Sequence, residues 1–176
     1  GTARGQEWIG SVYFLKGDLD TSLDYYIRAL SIRKELSNNR GIAYSFLNMG
    51  LIYLYKGVYN KAKDYFEKSL TKQNRIELKE GNLLFMTTTY LYLTYKHLGK
   101  DYDEKEIHSF IKENENIHYD ISYPLYQLLD DKSYLESAYN QVQEKANNLE
   151  PDVAAKFLSY PLSKAIVEEY NKVFKK

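Results

Sequence analysis

The chain repeats itself with a period of 40 residues. GTARGQEWIGSVYFLKG at positions 1–17 aligns with GIAYSFLNMGLIYLYKG at positions 41–57, and the match continues into the segments that follow. A unit of this length is too short to bury a core alone, so successive units must stack on one another. The spacing therefore predicts an all-α solenoid built from helix pairs.

Each unit reads as two helices, A and B, joined by a short turn. Gly17 and Gly57 close helix A, where a left-handed residue is needed and a side chain is costly. Asp20 and Asn60 are predicted to cap the N-terminus of helix B. The predicted helices are 3–15 and 42–56 for A, and 20–36 and 60–77 for B.

Two further glycines, Gly10 and Gly50, stand in the middle of helix A. Glycine in a helix interior costs about 1 kcal/mol relative to alanine, so it needs a compensating reason. The absence of a Cβ allows helix B to approach closely at this point. We expect the small residues Ser22 and Ala62 to line the same crossing.

These spacings resemble the signature of the tetratricopeptide repeat, W-x2-L-G-x2-Y…A-x3-F…P. The resemblance implies a right-handed superhelix. The closing proline is replaced by Lys34 and Asn74, which lets helix B run on. The sequence pattern GIA…NMGLIY and the longer period resemble those of C-terminal repeat regions in bacterial signalling proteins. The two matching runs are Gln6-x2-Ile9-Gly10-x2-Tyr13…Ser22-x3-Tyr26 and Phe46-x2-Met49-Gly50-x2-Tyr53…Ala62-x3-Phe66.

The pattern drifts after the second unit. In the third, Tyr92 replaces the mid-helix glycine, and helix B starts late with Ile107 and Ile111. A degenerate fourth pair is predicted at 117–129 and 133–148. The predicted organisation is three repeats at 1–40, 41–81 and 82–115, followed by 116–176 as the fourth pair with capping helices.

The C-terminal segment from Pro151 onward is predicted to cover the end of the solenoid. Pro151 stands at a predicted helix start, and the segment after it carries an apolar stripe that could cover the last exposed repeat, as terminal elements of solenoids do. The stripe comprises Phe157, Leu158, Leu162, Ala165, Ile166, Tyr170 and Val173.

The amino-acid composition limits the classes of function that this chain can have. The 24 basic and 24 acidic residues balance, without the basic excess expected of a nucleic-acid binder. The chain has no cysteine, which excludes thiol chemistry and fits a reducing, cytoplasmic location. No apolar run is long enough to span a membrane. The start at Gly1 suggests a piece of a longer protein, whose upstream domain could itself be the partner.

Catalytic patterns are not found. His97, His108 and His118 form no H-E-x-x-H pair, and no glycine-rich phosphate loop is present. His97 is interpreted as a helix-end residue, with contact to a ligand as the alternative. The nineteen tyrosines are attributed mainly to packing. We therefore predict a protein that is not an enzyme and uses no cofactor or metal.

The resemblance also implies a binding site, because the inner groove of such repeats is lined by defined positions of helix A. Carried onto this chain, these positions are apolar and aromatic, which is typical of interaction surfaces. Partner binding and filling by the protein's own tail both remain open. The groove residues predicted to bind are Trp8, Phe14, Tyr44, Leu47, Asn48, Leu51, Tyr55, Met86, Tyr90, Leu93 and His97.

The favoured function is a non-catalytic module that binds a peptide or helix of a protein partner. The alternatives are a sensor of a small ligand or peptide signal, and a structural unit that forms a homodimer. Some members of the family clamp the C-terminal carboxylate of chaperones with cationic side chains and asparagines. Only Asn48 matches that set, and Glu7, Ser11, Met86 and Tyr90 stand at its other positions, so we expect no such binding.

Overall fold

The computed structural model describes residues 1–75, 81–114 and 116–175, where every regular element is an α-helix. This confirms the predicted all-α class. The helices are α1 Ala3–Leu15, α2 Leu19–Glu35, α3 Asn39–Tyr55, α4 Tyr59–Arg75, α5 Gly81–His97, α6 Glu104–Glu113, α7 Tyr119–Leu129, α8 Lys132–Asn147, α9 Pro151–Leu158 and α10 Pro161–Phe174. The predicted end of the second helix B at 77 and the predicted boundary at 115 lie outside the described residues.

The chain divides into two compact units. The N-terminal unit comprises Gly1–Phe14 and Asp18–Phe110, and the C-terminal unit comprises Leu15–Gly17 and Ile111–Lys176. The N-terminal unit holds the helix pairs α1/α2 and α3/α4, followed by α5 and α6. Helix α6 begins seven residues after α5 ends, as the late start of the third helix B predicted.

The turn after each helix A is the same in three repeats. Gly17, Gly57 and Gly99 have φ of +83°, +71° and +64°, the left-handed conformation that favours glycine. The residue after each glycine donates its N–H to the carbonyl five positions back, at 2.9–3.0 Å. This bond ends helix A and returns the chain for helix B.

The predicted caps of helix B are wrong by two residues. Asp18, rather than Asp20, caps α2 by accepting the N–H of Thr21 at 3.1 Å. Asn60 lies inside α4, which begins at Tyr59. The physical reason is the glycine turn, which reverses the chain within three residues and starts helix B earlier than the sequence pattern indicated.

The mid-helix glycines mark close crossings, as predicted. Ser22 is fully buried and its hydroxyl donates to the carbonyl of Gly10 at 2.8 Å. A Cβ on Gly10 would lie 3.3 Å from the carbonyl oxygen of Ser22. At Gly50 the same atom would lie 2.5 Å from the ring of Phe66, so only glycine fits there without displacing that ring.

The aromatic residue that ends each A-x3-F motif fills the space between neighbouring helices. Tyr26 clusters with Leu30 of α2 and with Met49 and Ile52 of α3. Phe66 of α4 does the same in a second cluster, which joins α3, α4 and α5. The core of the N-terminal unit therefore lies along the joints between repeats.

The C-terminal unit has its own core, between the α7/α8 pair and the two last helices. Phe157 of α9 and Ile166 of α10 are buried against Tyr119, Ala138 and Val142. The tail thus covers the fourth helix pair, as predicted. It does so with two helices rather than one continuous stripe, because the chain breaks before Pro161, which takes the first position of α10.

Candidate protein-interaction surface

The A helices of the N-terminal unit bring groove residues from different repeats together. The ring of Phe14 in α1 meets the ring of Tyr55 in α3 edge-on, with centroids 5.3 Å apart. Farther back along the same helices, the amide of Asn48 lies 3.5 Å from the carboxylate of Glu7. These contacts make one surface from α1 and α3, which we call the helix-A face.

Four of the predicted groove residues are not accessible on this surface. Leu47, Leu51, Tyr90 and Leu93 are each at most 8% exposed. Leu47, Leu51 and Tyr90 belong to the cluster around Phe66, where the neighbouring helices close over them. The family positions implied that these residues face solvent, but in this chain they are buried in the core.

The remaining groove residues stay accessible in different degrees. Trp8 is 69% exposed and Tyr55 is 41% exposed. His97 is also exposed, at the last position of α5. The half-buried members of the set are Phe14, Tyr44, Asn48 and Met86. Apart from Met86 and His97, the accessible members lie on α1 and α3, so the usable helix-A face is centred on the first two repeats.

The negative charge of Glu7 on the helix-A face is paired with Arg33 of α2. This buried guanidinium forms a two-pronged ion pair with Glu7. It also donates to the carbonyl of Gly41 at 2.5 Å and to the hydroxyl of Ser45 at 3.1 Å. The family positions placed Glu7 in the groove, but the sequence pattern did not predict its pairing with Arg33.

One signal for that ion pair was present in the sequence, at Gly41. A Cβ on this residue would lie 2.6 Å from the side chain of Arg33, so the glycine makes room for the arginine. The residue 40 positions after Arg33 is Gln73, which is buried at the next joint. It donates to Ser69 at 3.1 Å and to Thr87 at 3.0 Å. Both joints therefore use a polar side chain from helix B to hold the next helix A.

His97 packs at the edge of the third repeat. Its ring stacks on Tyr59 with centroids 4.5 Å apart and nearly parallel planes. Partial burial lowers the pKa of His97, and the neighbouring charge of Lys96 lowers it further. Both effects favour the neutral imidazole.

The tyrosines repeat as stacked pairs between helices A and B. Tyr13 stacks on Tyr25 at 5.7 Å, and Tyr53 stacks on Tyr65 at 5.4 Å. Arg28 lies over the ring of Tyr25 and Lys68 over that of Tyr65, again 40 residues apart. Packing therefore accounts for these tyrosines, which lie where helix A and helix B of each repeat face each other.

Comparison with known families agrees with this geometry. Residues 1–74 match the family described as Tetratricopeptide repeat. This part of the chain, the first two repeats, is similar to tetratricopeptide repeats. A search of curated proteins returned no match to the chain. Tetratricopeptide repeats generally mediate protein–protein interaction, which is the broad role that the family assigns to this part of the molecule.

Two searches of the described residues bear on other functions. Within 1–75, 81–114 and 116–175, histidine and carboxylate side chains form no group of three that could hold a metal ion. In the same part of the chain, none of the helices is both long and apolar enough to cross a bilayer.

Proposed function

We propose that this chain is a non-catalytic interaction module whose helix-A face binds a peptide or helix of a protein partner. We also propose that it is the C-terminal regulatory part of a larger bacterial signalling protein. The 40-residue period and the sequence pattern GIA…NMGLIY favour this context. The observation that carries the binding proposal is the set of accessible aromatic side chains on α1 and α3. They are Trp8, Phe14, Tyr44 and Tyr55.

These aromatics are suited to anchoring a partner. Phe14 and Tyr55 come from different repeats and already touch, so their positions are fixed before a partner arrives. Rigid aromatic side chains contribute large contact areas at little cost in conformational entropy, and tryptophan and tyrosine are enriched among binding hot spots. An apolar side chain of a bound segment would therefore find a preformed contact site here.

The electrostatics favour an uncharged or mixed ligand over an acidic tail. Glu7 stands where a carboxylate clamp needs a cation, and its charge is satisfied by Arg33 from beneath the surface. Ser11, Met86 and Tyr90 supply no positive charge, and Tyr90 is buried. We expect an acidic EEVD-type peptide to show no micromolar binding to the full chain.

A second surface feature does not favour the small-ligand alternative. A cavity of about 510 Å³ lies on the helix-B side, between α2, α3 and α4, and opens to solvent. Its lining mixes positive and negative side chains with two apolar residues and one threonine: Lys34, Ile42, Phe46, Asp64, Glu67, Lys68, Thr71 and Lys72. It lies away from the helix-A face and is not the enclosed pocket that a sensor of that type requires.

The binding proposal is tested by selecting peptides from a displayed library on the immobilised full chain. The selected peptides are then compared on the variant Tyr44→Ala/Tyr55→Ala. We expect enrichment of peptides with apolar or aromatic anchors and a loss of affinity of about tenfold or more in the variant. Tyr90→Ala is unsuitable for this test, because Tyr90 belongs to the core.

A matched control separates binding from folding. Tyr25→Ala/Tyr65→Ala removes two half-buried tyrosines that stack between helix A and helix B, away from the helix-A face. It should retain peptide affinity even where it lowers the melting temperature. Peptides that bind both variants and the unaltered chain equally, or a library that yields no binder, would contradict the proposal.

A further inference from the structure

The open cavity between α2, α3 and α4, which we call the helix-B notch, has an apolar floor and a charged rim. Ile42 and Phe46 form the floor and lie one helical turn apart on α3. The volume of about 510 Å³ is in the range of ligand-binding clefts, about 300–1,000 Å³. Because the notch opens to solvent, it can receive side chains of a larger molecule but does not enclose a small one.

One end of the notch is basic and lies beside the first turns of α3. Ser69 of α4 donates its hydroxyl to the carbonyl of Ala43 at 2.8 Å. This bond places Lys72, three positions after Ser69, next to the start of α3. On the other side, the guanidinium of Arg33 donates to a carbonyl in the first turn of α3, so the adjacent Lys34 lies at the same end. Both lysines line the notch.

The other end of the notch holds Phe46 and the two acidic residues of the rim. The ring of Phe46 lies 6.2 Å, between centroids, from that of the tyrosine that follows Asp64 in α4. Both carboxylates already have partners within the unit. Asp64 lies 3.2 Å from Nζ of Lys63, and Glu67 accepts the hydroxyl of Tyr95 at 3.0 Å. The negative charges at this end are therefore compensated.

The lysines of the rim lack such partners. Among the residues that the structure describes, no carboxylate forms an ion pair with Lys34, Lys68 or Lys72. Lys68 lies over the ring of Tyr65, with Nζ 4.9 Å from the centroid, a contact that positions the ammonium without neutralising it. The uncompensated charge around the apolar floor is therefore positive.

We propose that the helix-B notch binds a segment of a partner protein in which acidic residues adjoin a large apolar side chain. The apolar side chain covers Phe46 and Ile42, and a carboxylate lies between Lys34 and Lys72, where charge-assisted hydrogen bonds are strongest. Complementary charge of this kind also selects the partner and its orientation. No residue of the helix-A face lines the notch, so the inference is independent of the proposed function.

Other occupants fit these features less well. A nucleic acid would bring its regularly spaced phosphates against Asp64 and Glu67 as well as against the lysines, whereas a protein segment can place single carboxylates. In a second copy of this chain, the only aromatic residue with acidic neighbours on both sides is Tyr102. Its ring already packs against Tyr92, with centroids 5.4 Å apart. A separate protein is therefore the occupant that we infer.

Fluorescence anisotropy with the full chain tests this inference. The probe is a fluorescein-labelled peptide, Glu-Glu-Leu-Phe-Glu-Glu, amidated at its C-terminus, and the matched peptide replaces every glutamate with glutamine. We expect saturable binding of the glutamate peptide with a Kd on the order of 100 μM, and binding about tenfold weaker or less for the glutamine peptide. An EEVD-type peptide should also bind more weakly, because its single valine buries less apolar surface on Ile42 and Phe46.

Reversing the charge of the notch should reverse its preference. Lys34→Glu/Lys72→Glu should weaken binding of the glutamate peptide by about tenfold or more. It should bind the peptide Lys-Lys-Leu-Phe-Lys-Lys more tightly than the unaltered chain does. Lys61→Glu/Lys105→Glu is the control, because it makes the same change in net charge at exposed lysines outside the notch. It should bind the glutamate peptide like the unaltered chain. Lys34→Gln/Lys72→Gln is a milder second variant should the charge reversal prevent folding.

Four outcomes would overturn the inference. The glutamate peptide could fail to bind, or it could bind Lys34→Glu/Lys72→Glu as tightly as the unaltered chain. Displacement by single-stranded oligothymidylate at lower concentrations than the unlabelled peptide requires would make a nucleic acid the occupant. A dimer detected by light scattering and abolished in Lys34→Glu/Lys72→Glu would make a second copy the occupant. Finally, binding lost in Tyr44→Ala/Tyr55→Ala but kept in the lysine variant would place the peptide on the helix-A face. That last result would support the proposed function while refuting the notch.

Discussion

Arg33 shows how one side chain can fix the joint between two repeats. It starts on helix B of the first repeat and reaches Glu7 on helix A of the same repeat, and Gly41 and Ser45 on helix A of the next. A buried charge is tolerated only when it is paired and hydrogen-bonded, and here both conditions are met. The arginine therefore sets the orientation of three helices at once.

Replacing Arg33 with methionine should lower the free energy of unfolding by about 3–5 kcal/mol, because it strands the mostly buried carboxylate of Glu7. The double variant Glu7→Gln/Arg33→Gln should recover part of this loss, since it leaves no unpaired charge and places at position 33 the residue that the second joint has in Gln73. Urea denaturation of the full chain measures both changes.

Lys34→Met is the control for this comparison, because Lys34 is the adjacent cation and is exposed. Its effect should be within about 0.5 kcal/mol, as is usual for surface substitutions. Equal losses in Arg33→Met and Lys34→Met would show that the ion pair contributes nothing to the joint.

Among the elements, the helices were predictable and several of their contacts were not. Period, glycine spacing and the A-x3-F motif are local features, and they predicted the helix pairs and the crossings at Gly10 and Gly50. The cap at Asp18 was missed because the glycine turn sets where helix B starts. The burial of Tyr90 was missed because it depends on how closely neighbouring helices pack, which the 40-residue period does not encode.

The start of α7 offers an electrostatic prediction at the same scale. His118 occupies the N-cap position, and its Nδ1 lies 2.7 Å from a carboxylate oxygen of Asp120. This hydrogen bond raises the pKa of His118 above its usual value, although partial burial acts in the opposite direction. A raised folded-state pKa means that the pair stabilises the fold below the ordinary histidine pKa of about 6.5. That contribution is lost as the pH rises through the folded-state value.

The variant Asp120→Asn should therefore lower the pKa of His118, because the amide can accept a hydrogen bond but carries no negative charge. Titration followed by NMR of the imidazole protons measures the shift. His97 is the internal control, since its own shift comes from burial and Lys96 and should not change. An unchanged pKa of His118 in the variant would mean that the bond to Asp120 does not govern its protonation.

Across the molecule, burial is distributed unevenly over the A helices. Helix α3 has nine buried residues, between Gly41 and Ile52, whereas α1 has Gly10 alone. Helices α2, α4 and α5 all pack against α3, whereas Trp8, Ile9 and Val12 of α1 are exposed. In repeat proteins each unit is stabilised by its neighbours, so stability should follow this coverage.

Native-state hydrogen exchange should consequently show the amides of α1 exchanging faster than those of α3, through local opening that leaves α3 intact. Mass spectrometry of peptides from each helix resolves the two. Protection of α1 equal to that of α3 would contradict the prediction, because it would show that the lower burial of α1 costs this helix no stability.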